Sequence, residues 1–108
     1  MTSFDAVIRL IAGLQAEDLR RWIAESWVRP ESGTGGYFFH EVDIARVRLI
    51  CELRDELAID DEAMPVVLDL LDQVYSLRRR LRALAAAVDA QPEEIRAALR
   101  ARLGEPEG

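Results

Sequence analysis

Gly36-Tyr37-Phe38-Phe39-His40-Glu41-Val42-Asp43-Ile44 is the stretch from which the rest of the chain can be read. Its three consecutive aromatics favour a strand. From Asp43 the pattern changes. Ile44, Val47, Leu49, Ile50, Cys51, Leu53, Leu57 and Ala58 recur at helical spacing, and Asp43 has a capping side chain. A strand is therefore expected to feed a long amphipathic helix over residues 43–58. Its apolar arc is broad, so the helix should sit in the middle of a core and pack on both sides. Glu41, Arg48, Glu52, Asp55 and Glu56 gather in the remaining sector. Arg46 and Arg54 fall inside the apolar arc, where their heads must snorkel or meet carboxylates.

Upstream, Phe4, Val7, Ile8, Leu10 and Ile11 have helical spacing, with Thr2 or Ser3 as cap and Gly13 as a stop. A second helix is expected over residues 16–26, with Leu19, Trp22, Ile23 and Ser26 on one side. Gln15 stands where a better cap would serve. Two short helices joined by a glycine-containing turn make a helix-turn-helix. The outer face of the second helix mixes Arg20 and Arg21 with Glu17 and Glu25, which suits a solvated face better than a phosphate-reading one. Pro30 forces an extended exit. Residues 28–39 then read as a β-hairpin wing, turned at the glycines of residues 33–36. His40 has no nearby Cys or second His, so it reads as a junction residue and not a metal ligand.

Downstream, Asp60 is a helix cap, and Asp61 and Glu62 favour a helix N-terminus. Pro65 is expected to lie past the first turn and to bend the helix there. Val67, Leu70, Val74, Leu77, Leu81, Leu84 and Val88 alternate steps of three and four, a heptad seam on a helix to residue 88. The first part of the chain has too few apolar residues to cover this seam. A homodimer through it is expected, unless the last helix folds back on it. That helix, residues 92–103, starts at Pro92 with Glu93 and Glu94 in its first turn. Arg78, Arg79, Arg80 and Arg82 add a basic surface, and residues 105–108 read as a frayed tail.

The expected fold class is mainly α: a winged helix-turn-helix with a small β-hairpin wing and a long C-terminal heptad helix. Residues 1–62 would be the head and residues 63–104 the dimerising helices, in a single compact domain. The 108 residues suffice for one domain, and half of them are hydrophobic. Net charge is −6, and every one of the 14 basic residues is arginine. Residues 1–30 are neutral; residues 31–72 carry 11 acids against Arg46, Arg48 and Arg54; residues 73–108 are basic by two charges. An acidic middle repels phosphate backbones and attracts basic partners. The lone Cys51 excludes an internal disulfide and reads as a buried small hydrophobe. There is no paired nucleophile and base, no phosphate-cradling loop and no metal-ligand cluster, so neither enzyme nor cofactor is implied. No signal peptide or membrane span is read, and the expected place is the cytoplasm.

In order, Leu19-Arg20-Arg21-Trp22, Val28-Arg29-Pro30, Gly36-Tyr37-Phe38-Phe39, Asp43-Ile44-Ala45-Arg46-Val47, Ile50-Cys51-Glu52-Leu53-Arg54 and Leu57 resemble the MerR-type winged-helix family. The resemblance covers roughly residues 10–84. Within that superfamily the closest likeness is to the small chaperone modulators called CbpM. It lies in Leu53-Arg54-Asp55-Glu56-Leu57-Ala58-Ile59-Asp60, then Val66-Val67-Leu68-Asp69-Leu70-Leu71-Asp72 and the Leu-Arg-rich helix. The resemblance implies a MerR-like fold and a dimer that binds the J-domain of a DnaJ/CbpA-like co-chaperone and inhibits it. The residues that would dock on a basic J-domain helix are Glu52, Asp55, Glu56, Asp60, Asp61, Glu62, Asp69 and Asp72. The alternative is a MerR-type DNA-binding transcription regulator, with Arg20, Arg21 and Arg29 on the DNA and Tyr37 supporting the wing. The neutral head and acidic middle disfavour DNA.

Overall fold

A computed structural model of the chain describes residues 1–104, so the expectation of a frayed tail at 105–108 lies outside the described residues. The elements run β1 (Thr2–Ser3), α1 (Phe4–Leu10), α2 (Ala16–Ala24), β2 (Glu31–Gly33), β3 (Gly36–Phe39), α3 (Glu41–Asp55), α4 (Met64–Asp89) and α5 (Glu93–Leu103). The fold is mainly helical with one small antiparallel sheet, in line with a winged helix-turn-helix. The chain forms two compact units, Met1–Leu68 and the part from Asp69 onward, with the boundary inside α4.

The first unit holds the core. Val7 of α1, Leu19 and Trp22 of α2, Trp27 and Val28 of the link, Phe39 of β3, and Val47, Ile50, Cys51 and Leu53 of α3 are all buried. Met64 and Leu68, on the first turns of α4, close it. Each fully buried side chain of this size contributes about 1.5–3 kcal/mol relative to exposure. Ile11 and Leu14 are buried at the helix-turn-helix turn, where Gly13 takes φ +82° and the Leu14 N–H donates to the Ile11 carbonyl at 3.3 Å. Ser3 caps α1 by accepting from the Ala6 N–H at 3.2 Å. Gln15 makes no side-chain cap, as its chemistry implied.

The wing is tied to the helices from both sides. The expected hairpin is there, with β2 paired to β3 through Glu31–Phe38, Ser32–Tyr37 and Gly33–Gly36. It is shorter than residues 28–39, because Trp27 and Val28 turn inward to the core instead. The sheet also gains a third strand that periodicity could not reveal: β1 pairs with β3, Thr2 to Phe39 and Ser3 to Phe38. Phe39 is fully buried, and its ring centroid lies 6.5 Å from that of Phe4. The Arg46 Nε–H donates to the Trp27 carbonyl at 2.6 Å, joining α3 to the link before the wing.

Several local expectations are corrected. α3 begins at Glu41, not Asp43; His40 is its N-cap, and Asp43 instead reaches back to accept from the His40 N–H at 2.9 Å. α3 ends at Asp55, not Ala58, and Leu57 is exposed outside the core. α2 ends at Ala24, because Ser26 takes a left-handed φ of 62° that releases the Trp27 N–H to the Trp22 carbonyl. Pro65 is the second residue of α4. In a first turn the missing N–H costs nothing, so no bend is required. Asp60 does cap the entering turn, accepting from the Ala63 N–H at 2.8 Å.

In the second unit, none of the described residues is buried. Leu70, Val74, Leu77, Leu81 and Leu84 of the seam are all exposed, Leu81 by 64%. Val67, in the first unit, and Val88 are half-buried. α5 carries its own ion pairs, from Arg96 to Glu93 at 2.6 Å and from Arg100 to Glu93 at 2.8 Å. It leaves Leu70, Val74, Leu77, Leu81 and Leu84 open, so the last helix does not cover that part of the seam.

Candidate functional site

Two faces of the first unit carry charge. One is the outer side of α2, the helix that would read DNA. The other is the end of α3 with the turn of residues 56–63.

On α2 the arginines are engaged within the protein. The Arg21 guanidinium lies 3.5 Å from Asp18 and 3.4 Å from Asp61. Arg20 stacks over the Phe4 ring at 5.3 Å. Arg29 is exposed between Val28 and β2. The three arginines proposed for DNA thus have different surroundings: Arg21 meets carboxylates, Arg20 an aromatic ring, and Arg29 solvent.

At the end of α3, Arg54 organises a network. Its Nη1 donates to Asp18 at 2.9 Å, its Nε donates to Asp55 at 2.8 Å, and its guanidinium lies 5.4 Å from the Trp22 ring centroid. This is the partner that an arginine inside an apolar arc requires. The hydrogen bond from Arg54 holds the Asp55 carboxyl below the usual carboxylate range. The same bond, with the Asp18 contact, raises the Arg54 pKa further above its ordinary value. Cys51 lies beside this network, and burial pushes its thiol up. It is buried and free, as its position predicted.

The acidic residues differ in how far they are committed. Asp55 is bound by Arg54, Asp61 faces Arg21, and Asp60 caps the turn. Glu52, Glu56 and Glu62 are exposed, with no hydrogen bond or ion pair to another side chain among the described residues. Asp69 and Asp72 follow on α4 in the second unit, where Asp69 accepts from Gln73 at 2.9 Å. His40 Nε2 lies 3.2 Å from Glu31, across the strand-to-helix junction. Among the described residues, no group of His, Cys, Asp and Glu is placed to hold a metal ion, and no helix is long and apolar enough to cross a membrane.

Sequence reading missed Asp18. Asp18 sits on α2, thirty-six positions from the arginine that it binds, and no local pattern joins them. The only signal was Arg54 itself, a cation in an apolar arc lacking a nearby counter-charge on the core side.

A helix-turn-helix, a three-stranded wing packed through Phe39, and a capped helix behind it make a winged helix-turn-helix fold. A family profile described as MerR HTH family regulatory protein matches residues 7–86, and the chain belongs to that family. Comparison with curated proteins gives no match, and comparison with solved structures gives none.

Proposed function

We propose that this protein modulates a chaperone system: it binds the J-domain of a DnaJ/CbpA-like co-chaperone through an acidic surface and inhibits the co-chaperone. One observation carries the reading. The reading helix has its Arg21 countered by Asp18 and Asp61, while Glu52, Glu56 and Glu62 stand exposed and uncommitted at the end of α3 and the turn beyond. Countered arginines bind phosphate weakly. Uncommitted carboxylates speed encounter with a basic partner and select it. Asp55, Asp60 and Asp61 add to that surface, and the reading extends it along α4 to Asp69 and Asp72. It also takes the protein to be cytoplasmic and not an enzyme, in keeping with a regulatory family.

The reading includes a homodimer through α4. Its support is the row of exposed leucines in a unit none of whose described residues is buried. Helices with so little burial do not offset their ordering entropy alone, and a contiguous apolar stripe of this kind marks an interface. Light scattering at micromolar concentration should give twice the chain mass. Leu77→Asp with Leu81→Asp should give a monomer. A wild-type monomer refutes this part.

Membership in the MerR family fits a DNA-binding regulator equally well, so the main test sets the two against each other. A J-domain protein should be captured at low salt, less at high salt, and poorly by the Glu52→Lys, Glu56→Lys variant. Duplex DNA should bind weakly throughout. Absence of capture, together with tight salt-sensitive DNA binding that Arg20→Ala or Arg29→Ala weakens, refutes the modulator reading.

A further inference from the structure

Arg21, Glu25, Trp27, Asp61 and Pro65 line a cleft of about 270 Å3 in the first unit. Its walls are of two kinds. Trp27 and Pro65 are apolar, whereas Glu25 and Asp61 are carboxylates on opposite elements, the end of α2 and the turn before α4. Arg21 is the only cation lining it.

The hold of Arg21 on Asp61 is loose. The 3.4 Å and 3.5 Å separations to Asp61 and Asp18 exceed the 2.8 Å and 2.9 Å that Arg54 achieves with its own carboxylates. Well-formed guanidinium–carboxylate bonds are short and often two-pronged. The Asp61 side chain keeps 58% of its exposure. Glu25 is exposed and has no side-chain partner among the described residues. Arg21 thus shares the cleft with two carboxylates, Glu25 and Asp61, while Asp18, which it also meets, is already held by Arg54.

We infer that this cleft receives one basic side chain, arginine or lysine, from the partner. The inference rests on the co-chaperone reading and names the contact within it. The incoming stem lies along Trp27 and Pro65, its head meets Asp61 and Glu25, and Arg21 withdraws onto Asp18. Arg21 is then a competitor for the cleft, not a contact. This inverts what the DNA alternative requires of the same residue, since there Arg21 binds the ligand.

The test is the affinity of the full chain for a J-domain protein at low salt, by calorimetry, with circular dichroism confirming that each variant is folded. Arg21→Ala should tighten binding about threefold, the size of one exposed ion pair. Glu25→Gln with Asp61→Asn should weaken it about tenfold. If Arg21→Ala weakens binding or leaves it unchanged, the cleft inference is overturned. It is overturned too if only Glu52→Gln with Glu56→Gln matters, and in both cases the co-chaperone reading survives. If the wild-type chain does not bind at all, that reading fails, and the cleft is judged alone. N-acetyl-arginine methylamide is then titrated while the indole N–H resonance of Trp27 is followed. A saturable shift that is larger in Arg21→Ala and lost in the double variant supports the cleft; no shift overturns it.

Discussion

Ala58 holds a left-handed backbone, φ +55°, just past the end of α3. That turn lets the Ile59 N–H reach back to the Leu53 carbonyl at 2.9 Å, closing the helix. Glycine is the usual residue in this place, because a Cβ there crowds its own carbonyl. The crowding costs roughly 1–2 kcal/mol. Ala58→Gly removes it and returns about 0.4–1 kcal/mol through the greater freedom of the unfolded chain. The Ala58 methyl is on an exposed residue, so its loss forfeits little burial. A net stabilisation of about 0.5–1 kcal/mol follows. The control is Ala45→Gly, the same change at an exposed position inside α3, which should cost about 1 kcal/mol. Urea unfolding followed by tryptophan fluorescence reports the first unit, since Trp22 and Trp27 both lie in its core. With a slope of about 1–2 kcal/mol per molar, Ala58→Gly should raise the midpoint by roughly 0.5 M and Ala45→Gly should lower it by a similar amount. A shift of the same sign in both refutes the left-handed closure of α3.

Phe39→Ala should cost about 3–5 kcal/mol, because it empties a fully buried site under the wing and removes the contact with Phe4. Thermal unfolding by circular dichroism checks it, and a loss below about 1 kcal/mol would mean that the wing packs elsewhere. Asp43→Ala should lower stability by about 1 kcal/mol through the freed His40 N–H, where Asp43→Ser should recover part of it. Asp55 has its carboxyl lowered by Arg54, so its contribution is present above the ordinary carboxylate range and lost as pH falls through the depressed value. Acid unfolding of Asp55→Asn should therefore show a shallower slope than wild type below that range; an identical slope would sink the assignment.

Much of the fold was legible along the chain. The aromatic stretch 37–39 became β3, the helical spacing after it became α3, and the pattern at residues 4–11 became α1 with Ser3 as cap. Periodicity and capping depend on neighbours a few positions away, so the sequence displays them. The misplacements have local causes as well. Asp43 was read as the cap because capping chemistry does not distinguish the cap itself from the position three residues on, where an acid can reach back. Ala58 and Ser26 were carried into helices because nothing in an alanine or a serine announces a left-handed backbone.

The site was less legible. The acidic residues stand out by composition, but their availability does not. Asp55 and Asp61 look alike in sequence, yet one carries a close hydrogen-bonded arginine and the other a loose ion pair. Arg20 and Arg21 look like a pair for phosphates, yet each is engaged by a residue from another element.

Local chemistry therefore settled the kind of elements, their order, and the charge carried by each segment, since propensity, capping and hydrophobic period act over one or two helical turns. Tertiary packing settled the rest. β1 joins the wing only because the N-terminus is brought against β3, and Asp18 meets Arg54 only because α2 and α3 are packed around Trp22. Coulomb attraction and hydrogen bonding depend on distance in space and not on separation along the chain. Which carboxylates are spent inside this protein, and which remain exposed, was decided when the core closed.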